Sequence, residues 1–302
     1  MTGKYFIYSP AVRTALDTNA PLVALESTVI AHGLPRPQNL ETARRLEQIV
    51  TEAGATPATI AILDGQLCVG LDSEQIQRIA ESDDMKKISM RDLPVAIARG
   101  FDGATTVAAT SWIAHRAGIQ VFATGGIGGV HRGWLPDVSA DLPELARTPL
   151  IVVCSGAKIV LDLPATREWL ETHGITIVGF RADEMPAFYS RKSGLPVDAR
   201  ADSAGDVARI FKAQRDLGIE TALLVTVPVP AEFEVPAAVL AKVLDESLAA
   251  AERAHVGGRE LTPFLLSRMA EQSEGATLKT NIALLENNAR IAAEIARAVS
   301  EL

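Results

Sequence analysis

Two short apolar runs, Ile119–Ala123 and Leu150–Cys154, constrain this chain more than any other feature. Both are uncharged and both break off into glycine. The first runs into Gly125, Gly126, Gly128 and Gly129, and the second into Ser155-Gly156-Ala157-Lys158. Runs of this length and continuity read as strands buried on both faces, which is the condition of a parallel sheet covered by helices. In such a sheet ligands settle beyond the C-terminal ends of the strands, where these glycine loops fall. Between the two strands stand His131, Arg132, Asp137, Ser139 and Asp141, too dense a polar set for a plain surface loop.

The rest of the chain alternates strand and helix. Pro21–Leu25 reads as a strand ending at Glu26-Ser27-Thr28, after a lead-in with a short helix around Val12–Leu16. Gly33, Pro35 and Pro37 shape a loop. Asn39 is then expected to cap a helix, Leu40–Ala53, whose Leu40, Ala43, Leu46, Ile49 and Val50 form one stripe, with Gly54 as its stop. Asp64-Gly65 between Thr59–Leu63 and Gln66–Val69 predicts a hairpin. Asp72 with Gln75 forms a capping box for the helix Ser73–Ser82. A strand near Lys87–Ser89 and a helix Leu93–Ala98 follow, and Thr105 or Thr106 opens a further helix to Ala117. Beyond Lys158 the pattern predicts a helix to His173 and a strand Ile175–Phe180. Arg181–Pro196 is irregular, a lid or a subunit contact. Ser203 or Asp206 then opens a helix to Gly218, before the strand Thr221–Val227. Three helices close the chain: Pro236–Arg253, Pro263–Gln272 and Leu278–Val299. The expectation is one α/β/α layered domain over residues 1–302 with a mixed, mainly parallel central sheet.

Charge and composition narrow the function classes. A net charge of −8 with no basic cluster opposes general nucleic-acid binding, while leaving room for a locally positive pocket. Cys68 and Cys154 lie in apolar runs, as reduced thiols of a cytoplasmic protein would. No apolar run approaches the roughly 18 residues of a membrane span. No basic, apolar leader opens the chain. Trp112, Trp134 and Trp169 are too scattered to form a base-stacking platform.

The glycine loop fails as a dinucleotide fingerprint, because His131 stands where the third small residue belongs. Lys158 lacks the glycine spacing and the following hydroxyl of a P-loop. Two readings of the glycines remain open: backbone N–H groups that approach a phosphate or sugar oxygen, or a tight turn needed for packing. Lys158 is more informative. Desolvation after a buried strand lowers an ammonium pKa from about 10.4 and frees the amine to attack a carbonyl carbon. The alternative is a lysine whose stem packs while its head reaches water. Glu26 is a general acid or base, or else an anchor for the Ser27-Thr28 turn. Asp137 and Asp141, four apart, could hold a hard divalent cation. Lys87 could meet a phosphate, and Asn281 could serve a helix terminus or a ligand. His32, His115, His131 and His173 show no metal spacing.

Taken in order, VALESTVIAHGLP, ILDGQLCVGL, KISMRDLP, GATTVAAT, FATGGIGGVHRG, DVSADLPEL, CSGAKIVLDLPATREWLET, EMPAFYSRKSG and LKTNIALLENNA resemble the pseudouridine-5′-phosphate glycosidase family, also called indigoidine-synthase-A-like. The resemblance runs from about Ser9 to the C-terminal helix. It implies cleavage of the C–C glycosidic bond of pseudouridine 5′-phosphate to uracil and ribose 5-phosphate, a divalent metal, typically Mn²⁺, and a homotrimer of α/β/α subunits. It also implies Lys158 as covalent nucleophile, Glu26 as proton donor and Asp137 as the metal position. Lys87, Val107 and Ser139-Ala140-Asp141 match substrate-binding positions, with Thr124, His131 and Asn281 as supports. Two departures stand out: Val227 replaces the usual Asn before Pro228, and the Trp134–Pro136 loop is short. The rival classes are a lysine-imine aldolase or lyase on another sugar phosphate, and a non-catalytic sugar-phosphate binder.

Overall fold

The computed structural model describes residues 3–132, 137–256 and 261–302, so the Trp134–Pro136 loop lies outside the described residues. The strands are β1 (Phe6–Tyr8), β2 (Leu22–Glu26), β3 (Thr56–Leu63), β4 (Gln66–Val69), β5 (Lys86–Ile88), β6 (Gly103–Thr105), β7 (Val121–Ala123), β8 (Ile151–Cys154), β9 (Thr176–Phe180), β10 (Ala199–Ala201) and β11 (Leu223–Thr226). They form one sheet in the order β1-β4-β3-β2-β7-β8-β11-β9-β10, with β6 on β3 and β5 on β6. Among the described residues β3 is antiparallel to β4 and β6, and the other pairs are parallel. The mixed, mainly parallel sheet is as expected.

The helices before β8 are α1 (Pro10–Asp17), α2 (Gln38–Glu52), α3 (Ser73–Glu81), α4 (Leu93–Arg99), α5 (Val107–Arg116) and α6 (Asp141–Leu145). After it come α7 (Leu163–Thr172), α8 (Ala204–Asp216), α9 (Ala237–Arg253), α10 (Leu261–Gln272) and α11 (Ala276–Ser300). Helix α11 packs on β2, β7 and β8 beside α2 and α8, while α5 packs on β2 and β3. The central strands are therefore buried along their whole length, as their uninterrupted apolar sequence requires. No helix among the described residues is long and apolar enough to cross a membrane.

Several local expectations change. Asn39 is not a cap: α2 begins one residue before it, and its buried amide donates to Ile30 O and Ala80 O, each at 3.0 Å. The supposed loop at Gly33 contains a π-helical turn, Val29–Gly33. No helix follows Lys158 directly. The chain turns there, with Leu161 N–H on Lys158 O at 3.0 Å, and α7 starts only after Asp162 accepts from Ala165 N–H at 3.0 Å. Asp162 and Pro164 form an N-terminal helix signal that an apolar stripe read alone passes over. Strands β1, β6 and β10 were not anticipated, because three residues hold too little periodicity to register. Arg181–Pro196 is irregular, yet it buries Met185, Phe188 and Tyr189 in the core and is no surface flap.

Under the C-terminal end of β2 the polar side chains are stapled together. Ser27 Oγ donates to Ile60 O at 2.6 Å and accepts from Thr105 N–H at 2.9 Å; Thr105 Oγ1 donates to the same carbonyl at 2.7 Å. This buried set ties the ends of β2 and β6 to the middle of β3 beneath the site, where unpaired hydroxyls would be costly.

Candidate active site

Glu26 is the last residue of β2 and is 8% exposed. Thr124, immediately after β7, donates its hydroxyl to Glu26 Oε1. Burial raises the Glu26 carboxyl above the ordinary range. The Lys158 ammonium, the Thr124 hydrogen bond and Lys87 pull it back down, and Asp141 adds to the rise; burial wins. Glu26 is thus a carboxyl held ready to keep or return a proton.

Lys158 reaches the same place from β8. The ladder between β7 and β8 continues past both strands: Ser155 N–H donates to Gly125 O at 2.9 Å, Ile127 N–H to Gly156 O at 3.1 Å, and Lys158 N–H to Ile127 O at 3.1 Å. Gly156 takes φ +82°, and a Cβ there would lie 2.3 Å from Pro186 O. Gly156→Ala is therefore expected to lower stability by about 3 kcal/mol, from left-handed strain plus overpacking. A urea midpoint that falls at unchanged m would register it; an unshifted midpoint would contradict this reading of the turn.

The glycine loop is a close approach, and Gly125, Gly126 and Gly128 also line the cavity. None of Gly125, Gly126, Gly128 and Gly129 has positive φ. Gly128 N–H donates to Asp141 Oδ2 at 2.8 Å, while Ala108 N–H donates to Asp141 Oδ1 at 2.9 Å. Asp141 thereby ties the N-terminus of α5 to the loop, and a Cβ on Gly128 would meet its carboxylate at 2.7 Å. Of the two aspartates read as a cation pair, Asp141 accepts from these backbone donors, and Asp137 is exposed with its carbonyl on His131 N–H at 2.8 Å; both line the same cavity. Among the described residues no group of three or more His, Cys, Asp and Glu side chains is arranged to enclose a metal.

A cavity of about 500 Å³ opens at these strand ends. Glu26, Lys87, Val107, His131, Asp137, Ser139, Ala140, Asp141, Lys158 and Asn281 all line it, and Thr124 reaches it through Glu26. Every site residue expected from the sequence is thus gathered at one place. Lys87, Arg91, Arg147 and Lys158 bring basic side chains to the cavity of an acidic chain, alongside Glu26, Asp137 and Asp141. A larger groove of about 870 Å³, open to solvent beside α2 and α11, contains none of these residues.

Some lining residues were not singled out in the sequence. Ser89 and Arg91 come from KISMRDLP, and Thr262, Pro263 and Leu266 from α10. Phe188 is the most distinctive, with φ +59° and its N–H on Ser155 O at 3.0 Å. Its ring would lie 2.7 Å from a Cβ on Gly126, so that glycine and the phenyl wall require each other. Val227, in contrast, is 2% exposed, donates its N–H to Cys154 O at 2.8 Å and does not line the cavity. The departure from Asn is a core substitution in this fold.

Comparison with known proteins agrees with the geometry. Residues 11–298 match the family model described as indigoidine synthase A like protein. A protein named pseudouridine-5′-phosphate glycosidase from Caldanaerobacter subterraneus subsp. tengcongensis is 49% identical over 302 residues, covering 99% of this chain and 98% of its own. One of the same name from Methylobacterium nodulans is 50% identical over 294 residues, covering 97% of this chain and 87% of its own. Among solved structures, the prealnumycin C-glycosynthase AlnA in complex with ribulose 5-phosphate superposes with a TM-score of 0.91 at 40% identity, covering 99% of this chain and 98% of that one. An indigoidine synthase A-like protein from Thermotoga maritima gives 0.89 at 38% identity, covering 98% and 96%.

Proposed function

The chain belongs to the indigoidine synthase A like family, and on that premise we propose that it is an enzyme that cleaves the C–C glycosidic bond of pseudouridine 5′-phosphate to uracil and ribose 5-phosphate. One observation carries this reading: Glu26 at the end of β2 and Lys158 beyond β8, with β7 between them, enter one cavity, where the Lys158 charge pulls the Glu26 carboxyl down against its burial.

Ordinary glycosidases protonate a leaving oxygen between two carboxylates. Uracil leaves through carbon, so that route is closed and the sugar must be activated instead. Lys158 Nζ attacks C1′ with its lone pair, the C1′–O4′ bond breaks, and Glu26 gives its proton to O4′. The alkylated nitrogen then gives a proton back to the Glu26 carboxylate, its recovered lone pair forms C=N, and the C1′–C5 electrons pass to C5, which takes up that proton as uracil departs. Water adds to the lysine–ribose imine and releases ribose 5-phosphate and the free amine. Lys87, with the Ser139-Ala140-Asp141 segment, Val107, His131 and Asn281, holds the substrate. Asp137 is the described carboxylate suited to a hard cation such as Mn²⁺, which keeps most of its water and needs few protein ligands. When bound it would supply charge neutralisation and orientation of phosphate, sugar or water. A homotrimeric assembly in the cytoplasm accompanies the proposal.

Incubation with pseudouridine 5′-phosphate and Mn²⁺ is expected to release uracil and ribose 5-phosphate in equal amounts, quantified by chromatography. A folded, metal-loaded protein that turns over sugar phosphates without releasing uracil would favour the aldolase class. Binding of the substrate in a calorimeter with no turnover would favour the non-catalytic binder.

A further inference from the structure

Helix α11 presents two asparagines toward the strand ends, and only the first lines the cavity. Asn288 stands seven positions after Asn281, about two helical turns along the same face, and is fully buried. Its Nδ2 donates to Thr124 O at 2.9 Å, with Ser155 Oγ at 3.2 Å and Gly125 O at 3.5 Å; Ser155 Oγ in turn lies 3.3 Å from Asn288 Oδ1. These partners sit at the ends of two adjacent strands, β7 and β8. Thr124 is the residue whose hydroxyl holds Glu26. Ser155 opens the Ser155-Gly156-Ala157 turn that delivers Lys158.

Packing alone does not call for an amide at this position. Its buried neighbours on the helix, Leu284, Leu285, Ala289 and Ala292, are apolar, and a leucine there would leave no polar side chain of its own to satisfy. What the amide adds is a fixed relation between two strand ends, made by a rigid helix that touches both. A buried polar group satisfied on three sides specifies one arrangement of its partners.

We infer that Asn288 is a positioning residue for the proposed reaction: it fixes the spacing between the strand end that holds Glu26 through Thr124 and the strand end that carries Lys158. The inference rests on the glycosidase reading above. Without the amide the backbone ladder still pairs the two ends, but they lose the side-chain brace on Thr124 and Ser155, so the carboxyl that must deliver a proton and the amine that must attack lose their alignment. Substrate binding, which Asn288 does not contact, is left largely as it was.

The test compares wild type with Asn288→Leu, Asn288→Asp, Thr124→Val and the Asn288→Leu/Thr124→Val double variant, each checked for a cooperative melt. Uracil release is followed over a range of pseudouridine 5′-phosphate concentrations. A displacement of reacting groups of the order of 1 Å is expected to lower kcat about 10- to 100-fold, with KM held within about threefold because ground-state binding is untouched. The double variant is expected to lose less than the product of the two single losses, because Asn288 braces the Thr124 backbone that carries the hydroxyl on Glu26. If Asn288→Leu does not fold, Asn288→Asp and Ser155→Ala carry the same comparison, the latter cutting one arm of the bridge. Folded variants that keep wild-type kcat, raise KM alone, or lose activity multiplicatively with Thr124→Val overturn the inference. A wild type that releases no uracil sinks the reaction itself, and this inference with it; an active wild type matched by active variants sinks this inference alone.

Discussion

Lys158→Ala is expected to release no measurable uracil, a loss of about 10⁴- to 10⁶-fold, as for removal of a covalent nucleophile. The magnitude follows from the chemistry. With this amine gone, the group assigned to donate a lone pair to C1′ and form C=N while the carbon leaving group departs is missing. The fold should survive, because the turn is held by backbone: Lys158 N–H on Ile127 O and Leu161 N–H on Lys158 O do not involve the side chain. Lys158→Arg separates nucleophilicity from charge. It keeps a cation opposite Glu26 but offers no free amine at any accessible pH, so it should be as inactive as the alanine variant. Borohydride added during turnover should fix a ribose phosphate adduct on the wild type, seen by intact mass, and none on either variant. Uracil still released by Lys158→Ala would remove the covalent route while leaving the reaction class in place.

The strands that build the site were legible because burial on both faces writes itself into the sequence without interruption. Val121–Ala123 and Ile151–Cys154 have no polar position to spare, and β2 ends on a carboxylate that only a site or a buried anchor would justify. Glycine identities were legible, but their purpose was not. Gly128 answers to Asp141 and Ser139, and Gly126 to Phe188, which comes from more than fifty positions away. A close approach between distant segments leaves no local pattern, so the choice between a phosphate cradle and a packing turn had to wait for the fold.

The same limit explains the misreading of Asn39 and the open readings of Asp141. A carboxylate that accepts two backbone N–H groups and a carboxylate that waits for a cation look identical in sequence; only Ala108 and Gly128 standing opposite Asp141 tell them apart. Asn39 has the composition of a cap and the position of one, but its amide is drawn inward by Ile30 O and Ala80 O. Tertiary hydrogen bonds override the local preference in both cases. Residues that line the cavity were named from the sequence, while Asn288, which meets the strand ends without lining the cavity, was not.

Glu26→Gln should separate activity from stability in opposite directions. The amide keeps the shape and still accepts the Thr124 hydroxyl, but it has no proton to give O4′, so kcat should fall about 10²- to 10⁴-fold. The effect on folding follows from the direction of the Glu26 shift, which burial drives upward. In acid, below the pKa of the unfolded chain, both states carry the proton and Glu26 costs nothing. As pH rises the unfolded chain gives up its proton first, the folded state binds more protons, and stability falls until the folded carboxyl has also ionised. Wild type therefore bears a penalty at neutral pH that the glutamine variant lacks. The variant is expected to melt at or above wild type at pH 7, with the difference shrinking toward acid. A carboxylate that merely anchored the Ser27-Thr28 turn would behave in reverse: its loss would lower the melt and leave turnover near normal. Parallel melts and uracil release, measured at acidic and neutral pH on the same two proteins, decide between a proton donor held at a cost and a structural anchor.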